Sequence, residues 1–381
     1  MLMYKTTLGL KKMKSWSRDN PRLFLYLAYF SFFVGVVGLV FSFFFMFYQL
    51  YLILDWDLTT GGGLVLPIQT QSGTIAGIPV FAPPFVEWLI ALAILVIVHE
   101  FAHGVIAQRF NIKIKSSGFA FGGLLVPILP AAFVEPDEKQ LKKSKWWHQI
   151  SVFGAGSTSN FIFGFLFLLI FLFVAIPFTT STMQVDRVSF DGVMNDSSLF
   201  NYGIESGDIL QINGRNISEY DFVVSNGQGQ GLTDVIFLEN FLTLKPNESF
   251  NLTIDNGNYT KVYNIDTFPR EDFNESGMIG IWNVETHLES KEEYSYLGTF
   301  QLFFQRLLFW VVLLNIGIGL MNLLPLWITD GGQITRTLLF RYVKDEKKVY
   351  RYLNIVCFIS LITIILLIWP SLLRMIVGVF V

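Results

Sequence analysis

Five apolar runs, each long enough to cross a bilayer, constrain this chain more than any other feature of its sequence. They cover about residues 23–54, 85–107, 150–178, 299–324 and 353–377. A transmembrane helix needs about 20 apolar residues, because a bilayer core is about 30 Å thick. The chain is 52% hydrophobic and 15% charged, whereas soluble domains are about 25% charged. The sequence therefore predicts a polytopic α-helical membrane protein with about five transmembrane helices.

The distribution of Lys and Arg predicts the orientation of these spans. Basic residues are concentrated in the N-terminal tail and in the loops at 109–148 and 336–351, whereas 55–84 has none. Since Lys and Arg mark cytoplasmic loops, the N-terminus is expected in the cytoplasm and the polar segment 179–297 outside it. That segment also holds all six Asn-x-Ser/Thr triplets of the chain, which are glycosylation acceptors only on an exported face.

The second apolar run ends in a motif suited to metal chemistry, His99-Glu100-Phe-Ala-His103. Residues four apart share one face of a helix, so His99 and His103 point the same way and can hold one Zn²⁺. Glu100 beside them suits a general base that takes a proton from water. Ionisable groups at membrane depth are costly and usually functional. The alternative is a pair of buried, hydrogen-bonded helix residues without a metal.

A carboxylate near the end of the fourth run is the candidate third ligand. A catalytic zinc site usually has three protein ligands and one open position. Asp330 follows Pro325, which breaks the helix, and it precedes Gly331 and Gly332, which permit a sharp turn and a close approach. A carboxylate there can reach the metal from across the helix bundle. The alternative is a solvated turn residue, since Asp-Gly is common turn chemistry.

Two further segments are predicted to bear on this site. Small residues at 154–160 allow close helix packing, and Asn160 is a candidate donor to a developing oxyanion. The alternative is a packing seam in which Asn160 bonds a neighbour. Residues 118–134 are apolar but rich in Gly and Pro, which predicts a re-entrant β-hairpin that pairs with an extended substrate by strand addition. The alternative is an ordinary interfacial loop.

Together these motifs resemble those of the site-2 proteases, the intramembrane zinc metalloproteases. The matches are His-Glu-x-x-His at 99–103, Asn-x-x-Pro-x-x-x-x-Asp-Gly at 322–331, and the Gly-rich element that ends at Asn160. The family usually has Pro where Ser157 stands and Leu where Thr329 stands. The second departure affects only the packing behind the Asp.

The resemblance implies a role for each matched residue. His99, His103 and Asp330 are expected to bind Zn²⁺, with Glu100 as the general base. In addition, Asn160 and Asn322 match family positions thought to line the substrate path.

The segment between the third and fourth spans resembles a PDZ domain. The similarity is carried by residues 202–214, with Gly207-Asp208 and Asn213-Gly214. Farther on, Phe250, Leu252 and Ile254 alternate with polar residues as in a half-buried strand, and 278–281 is the expected closing strand. An unrelated β-rich extracytoplasmic domain is the alternative.

These assignments divide the chain into four parts. Residues 1–54 form a cytoplasmic tail and the first span, and 55–178 form the first part of a catalytic membrane core. Residues 179–297 form the extracytoplasmic PDZ-like domain, and 298–381 complete the core and add the last span. The single cysteine, Cys357, excludes an intrachain disulfide and a multi-cysteine metal site.

The expected reaction is cleavage of membrane-spanning protein substrates within the lipid bilayer, as the second cut of regulated intramembrane proteolysis after an upstream site-1-type protease. No nucleic acid partner is expected. The alternative is a catalytically inert membrane receptor or scaffold that keeps a structural metal site, but such a site needs no base like Glu100. A metal transporter is less suited, because internal repeats and further ionisable residues along a path are missing from the sequence.

Overall fold

The computed structural model describes most of the chain. The described residues are 2–7, 9–55, 64–65, 73–75, 78–81, 84–122, 129–195, 197–219, 247–270, 273–281 and 284–380. The tip of the predicted hairpin, 123–128, and most of the loop at 55–84 lie outside them. The chain divides into two compact units, residues 1–169 with 307–381, and residues 170–306.

The first unit begins with alternating strands and helices. These are β1 (Leu2–Thr6), α1 (Leu10–Asp19), α2 (Pro21–Asp55), β2 (Leu64–Val65), β3 (Gly73–Ile75), β4 (Ile78–Phe81), α3 (Phe85–Arg109), β5 (Ile114–Gly122), β6 (Leu129–Pro136), α4 (Glu138–Lys143) and α5 (Trp146–Ile170).

The second unit is mostly β-structure. A π-helical turn, Phe171–Ala175, continues α5 into α6 (Ile176–Thr182). There follow β7 (Met183–Asp191), α7 (Ser198–Asn201), β8 (Ser206–Ile212), β9 (Arg215–Asn216), a 3₁₀ turn at Ile217–Glu219, β10 (Ser249–Asp255), β11 (Thr260–Asp266), β12 (Phe268–Arg270), β13 (Phe273–Met278), β14 (Val284–Ser290) and a 3₁₀ turn at Glu292–Leu297.

Three helices complete the chain: α8 (Phe300–Asn322), α9 (Asp330–Tyr342) and α10 (Glu346–Phe380). The prediction of five spans is confirmed, since five helical stretches are long and apolar enough to cross a membrane. They are Pro21–Leu52, Phe85–Arg109, Trp146–Thr182, Phe300–Asn322 and Glu346–Leu367.

The basic segment at 336–351 is not the loop that the sequence analysis assumes. Its first part belongs to α9 and its last part to α10, and only Val343–Asp345 separate the two helices. In α9, Ile334 and Thr337 are buried on one face while Arg341 lies on the exposed side. The charged residues conceal this short amphipathic pattern, so the loop assignment was wrong in extent.

The hairpin predicted at 118–134 is present as two antiparallel strands. β5 pairs with β6, with Gly118 opposite Phe133 and Ser117 opposite Val134. The N-terminal strand β1 adds to the other edge of β5, so the sheet order is β1–β5–β6. No local pattern predicts this third strand, because β1 is far from the hairpin along the chain.

The sheet of the second unit has the order β11–β10–β8–β7–β14. As predicted, Phe250, Leu252 and Ile254 on β10 are buried while the residues between them are more exposed. The closing strand was placed wrongly: β13 ends at Met278, and β14 is the strand that completes the sheet beside β7. The unit is compatible with a PDZ-like domain, and the PDZ assignment itself stays a prediction.

Candidate metal centre

His99 and His103 lie on one face of α3, as the spacing of the motif requires. Their ring centroids are 4.7 Å apart, and the two residues are 7% and 9% exposed. The helix turn that carries them is held in place by close packing: Gly104 lies directly against Met13 of α1, and Phe101 contacts Trp16 edge to face. Two imidazoles are therefore fixed in a buried position.

The structure brings Asp330 to these two imidazoles from a distant part of the chain. Its Oδ2 lies 3.3 Å from Nε2 of His99 and 3.4 Å from Nε2 of His103. One ligand atom from each of the three residues lies within 4.8 Å of the others. This donor set of two nitrogens and one carboxylate oxygen is typical of catalytic zinc sites.

Two observations fit a cation at this point. Oδ2 of Asp330 is buried and has no hydrogen-bond partner among the described residues, whereas buried polar atoms are almost always paired. Gly156 of α5 faces the same point, and a Cβ atom built on it would collide with Nε2 of both His99 and His103. A side chain at this position would block both Nε2 atoms, and a metal ion would supply a partner for the carboxylate.

Helix α5 also orients both imidazoles from behind. Nδ1 of His103 lies 2.6 Å from the carbonyl oxygen of Val152, so Nδ1 carries the proton and Nε2 offers its lone pair. Nδ1 of His99 lies 3.0 Å from the side-chain amide of Asn160. A carbonyl or amide behind a metal-binding His fixes its tautomer and ring orientation.

Asn160 lies behind His99 and contacts its Nδ1 atom. The residue is fully buried, and its Oδ1 has no hydrogen-bond partner among the described residues. A half-turn of the amide would place Oδ1 on the Nδ1–H of His99, the arrangement needed when Nε2 binds a metal. Contact with a neighbouring residue matches the alternative given for Asn160. Its role toward an oxyanion or substrate stays a prediction, as does that of Asn322, which ends α8.

Asp330 is aimed by the turn between α8 and α9. Thr329 is the N-cap of α9, and its Oγ1 accepts from Gly332 N while donating to the carbonyl oxygen of Leu324, 2.5 Å away. A Cβ on Gly331 would collide with the carbonyl of Leu323. The Thr that departs from the family's usual Leu thus caps the helix on which Asp330 is the first residue.

Glu100 is held by the β-sheet rather than by the helices. Its Oε2 accepts a hydrogen bond of 2.9 Å from the backbone N–H of Val134 on β6. The residue is partly exposed, whereas His99 and His103 are buried. The motif predicts a carboxylate beside the metal position, but no local signal in the sequence indicates a contact with β6.

The chain is similar to known proteins. The sequence profile of peptidase family M50 matches residues 87–367, which includes all the residues named above on α3, α5 and α9. An uncharacterized protein of Methanocaldococcus jannaschii is 27% identical over 252 residues, covering 66% of this chain and 56% of that protein. The matched region thus spans little more than half the length of this relative.

Proposed function

Because the chain belongs to peptidase family M50, the site-2 protease type of intramembrane metalloprotease, we propose that it is a zinc-dependent endopeptidase that cleaves membrane-spanning segments of other proteins. The observation that carries the proposal is the convergence of His99, His103 and Asp330 on one buried point next to Glu100. The three side chains come from two elements far apart in sequence. Oδ2 of Asp330 meets both imidazoles but makes no well-formed hydrogen bond among the described residues.

His99, His103 and Asp330 would hold the zinc ion. When bound, Zn²⁺ acts as a Lewis acid toward a scissile carbonyl and lowers the pKa of water. Val152 and Asn160 fix the orientation of the two imidazole rings through contacts at Nδ1. Glu100 takes a proton from the attacking water and passes it to the leaving amine, the usual division of labour for a carboxylate next to such a site.

The substrate must reach the site in an extended form. A transmembrane helix satisfies its own backbone groups, so its amides are accessible only where it unwinds. The strand β6 lies at the edge of its sheet and next to α3, and it can pair with an unwound segment by strand addition. Asn160 and Asn322 are proposed to line the path of that segment. Substrates with helix-breaking residues near the cut should be preferred.

We further propose that the enzyme makes the second cut of regulated intramembrane proteolysis, after an upstream protease of the site-1 type. The N-terminus would be cytoplasmic and residues 179–297 extracytoplasmic, because positive charge lies in the tail and in 109–148. A reporter fused near Asn247 should behave as exported, and one near Lys143 as cytoplasmic. The reversed pattern would refute this orientation.

The central experiment compares the parent protein with Glu100→Gln on a panel of single-span substrates. The parent should cleave and should contain about one zinc per chain. The variant should keep its zinc but lose cleavage by about 10²–10⁴-fold, because the proton relay is lost. Glu138→Gln, at an exposed site on α4, is the matched control and should cleave like the parent. Zinc without cleavage in the parent would favour the inert receptor or scaffold.

A further inference from the structure

The outer edge of β6 offers an unusually short set of hydrogen-bond donors. Residues of an antiparallel strand alternate between donating toward the neighbouring strand and donating away from it. The N–H of Val134 is bonded to Glu100 and therefore faces away from β5. By the same alternation, the outward positions of this strand are those an even number of residues from Val134, namely Pro130, Ala132 and Pro136.

Two prolines limit this edge at both ends. Pro130 and Pro136 have no N–H to donate, so within Leu129–Pro136 the outward donors are those of Ala132 and Val134. Prolines at the edge of a sheet restrict pairing with other chains. An extended peptide that pairs with β6 therefore meets a window of two N–H groups, and Val134 is the one next to the catalytic turn of α3.

Glu100, the proposed general base, already bonds one of these two N–H groups. Oε2 of Glu100 accepts the hydrogen bond from Val134 at 2.9 Å, the distance of a well-formed bond. A peptide carbonyl cannot accept from the same N–H while the carboxylate remains in place. Glu100 and a docked strand therefore both require the N–H of Val134, and only one of them can accept its hydrogen bond at a time.

We propose that Glu100 and an extended substrate segment compete for the N–H of Val134, so that strand pairing releases the carboxylate for proton transfer. The inference rests on the proposed function and adds a control step to it. A hydrogen bond to a charged acceptor is stronger than the neutral bond that replaces it. The exchange is therefore unfavourable by itself, and only segments that unwind and pair along the rest of β6 drive it.

The test measures binding of an intact single-span substrate to two variants that do not cleave it. Gln in place of Glu100 keeps an acceptor oxygen for Val134, whereas Ala has none. If the side chain at position 100 competes with the substrate for this N–H, Glu100→Ala should bind the substrate about fivefold more tightly than Glu100→Gln. About fivefold is the factor expected for one net hydrogen bond. The amide of Val134 should also exchange with solvent faster in Glu100→Ala when no substrate is present. Both variants should retain their zinc.

A second pair of variants assigns the effect to the N–H itself. Val134→Pro removes this donor at an outward position of an edge strand, where proline is tolerated. In that background the difference in affinity between Glu100→Ala and Glu100→Gln should vanish. Val134→Ala keeps the N–H while removing the packing of the Val134 side chain near Gly104, and there the fivefold difference should persist.

The outcomes separate this inference from the proposed function. Equal affinities of Glu100→Ala and Glu100→Gln, or a difference that survives Val134→Pro, would overturn the competition. A parent protein that binds the same substrate but does not cleave it would overturn the proposed function, whatever the affinities of the variants.

Discussion

The candidate metal centre and the sheet of the second unit differ in the pairing of their buried polar atoms. Around the centre, Asp330 Oδ2, Asn160 Oδ1 and Ser157 Oγ are buried without a hydrogen-bond partner among the described residues. In the described part of the sheet no buried side-chain polar atom lacks one. There Ser189 bonds both Asp208 and His287, each at under 3 Å.

The two regions also differ in the side chains that fill their interiors. The core of the sheet is made of alternating apolar side chains, among them Ile209, Leu252 and Ile265, each 0% exposed. At the candidate metal centre, in contrast, Gly156 lies so close to both imidazoles that a side chain there would collide with them. An unpaired buried polar group costs about 1–3 kcal/mol, and at Asp330 a metal ion would remove that cost. The comparison separates a candidate ion site in one region from an apolar core in the other.

The largest effect should come from removing the third ligand. Asp330→Ala leaves two imidazoles, and a site with two protein ligands holds zinc poorly. We expect zinc content to fall from about one per chain to near zero after dialysis, with loss of cleavage. Metal analysis of the purified protein measures this. Full zinc content and full activity in Asp330→Ala would exclude Asp330 as a ligand. The unpaired carboxylate oxygen would then no longer distinguish this site from the sheet.

A nearly equal effect should follow from adding a methyl group at Gly156. Gly156→Ala places a methyl group against Nε2 of both His99 and His103, so the imidazoles must shift and zinc affinity should fall by about 10–100-fold, as for other changes that disturb ligand orientation. The matched control is Gly317→Ala on α8, where an added Cβ meets nothing within 4 Å. Competition with a chelator measures both. Unchanged zinc affinity in Gly156→Ala would show that the close approach of Gly156 to the imidazoles has no role in binding.

The smallest effect on the metal should come from removing the sheet. Replacing residues 186–285 with a short Gly/Ser linker should leave zinc content unchanged, because no proposed ligand lies there. We expect the segment to act as a gate that excludes substrates with large outer domains. The variant should therefore still cleave substrates with short outer segments and should newly cleave those with long ones.

The measurement for this gate uses two substrates that differ only in the size of the outer domain, each tested with both enzymes. A stable, zinc-containing deletion variant that cleaves neither substrate would show that the sheet is needed for docking or catalysis. It would also contradict the assignment of zinc binding and cleavage to one region and of substrate selection to the other.

The features that the sequence predicts correctly are those with a local period. Five runs of about the length of a bilayer predict five spans, and each is found as a helix. The four-residue spacing of His99 and His103 places both on one face of α3. Alternation at 250–254 predicts the buried face of β10. In each case, backbone geometry relates neighbouring residues, so no information about the rest of the chain is needed.

Charge and turn composition are less reliable guides. The basic residues at 336–351 predict a loop, but most of them lie on α9 and α10. The apolar stretch at 278–281 predicts a closing strand, but β14 occupies that place. Both errors concern the place where an element begins or ends, and this depends on tertiary packing as well as on local composition.

The contacts that define the candidate site were decided only by the tertiary structure. The motifs indicate which residues are chemically suitable, but the distances from Asp330 to His99 and His103 depend on how α3 and α9 pack. Helix and sheet packing also determines the contact of Asn160 with His99, the close approach of Gly156 to both imidazoles, and the hydrogen bond from Val134 to Glu100. These pairs lie tens to hundreds of residues apart, and a sequence read locally carries no period that relates them. Packing of the helices against one another and against the β1–β5–β6 sheet brings them together.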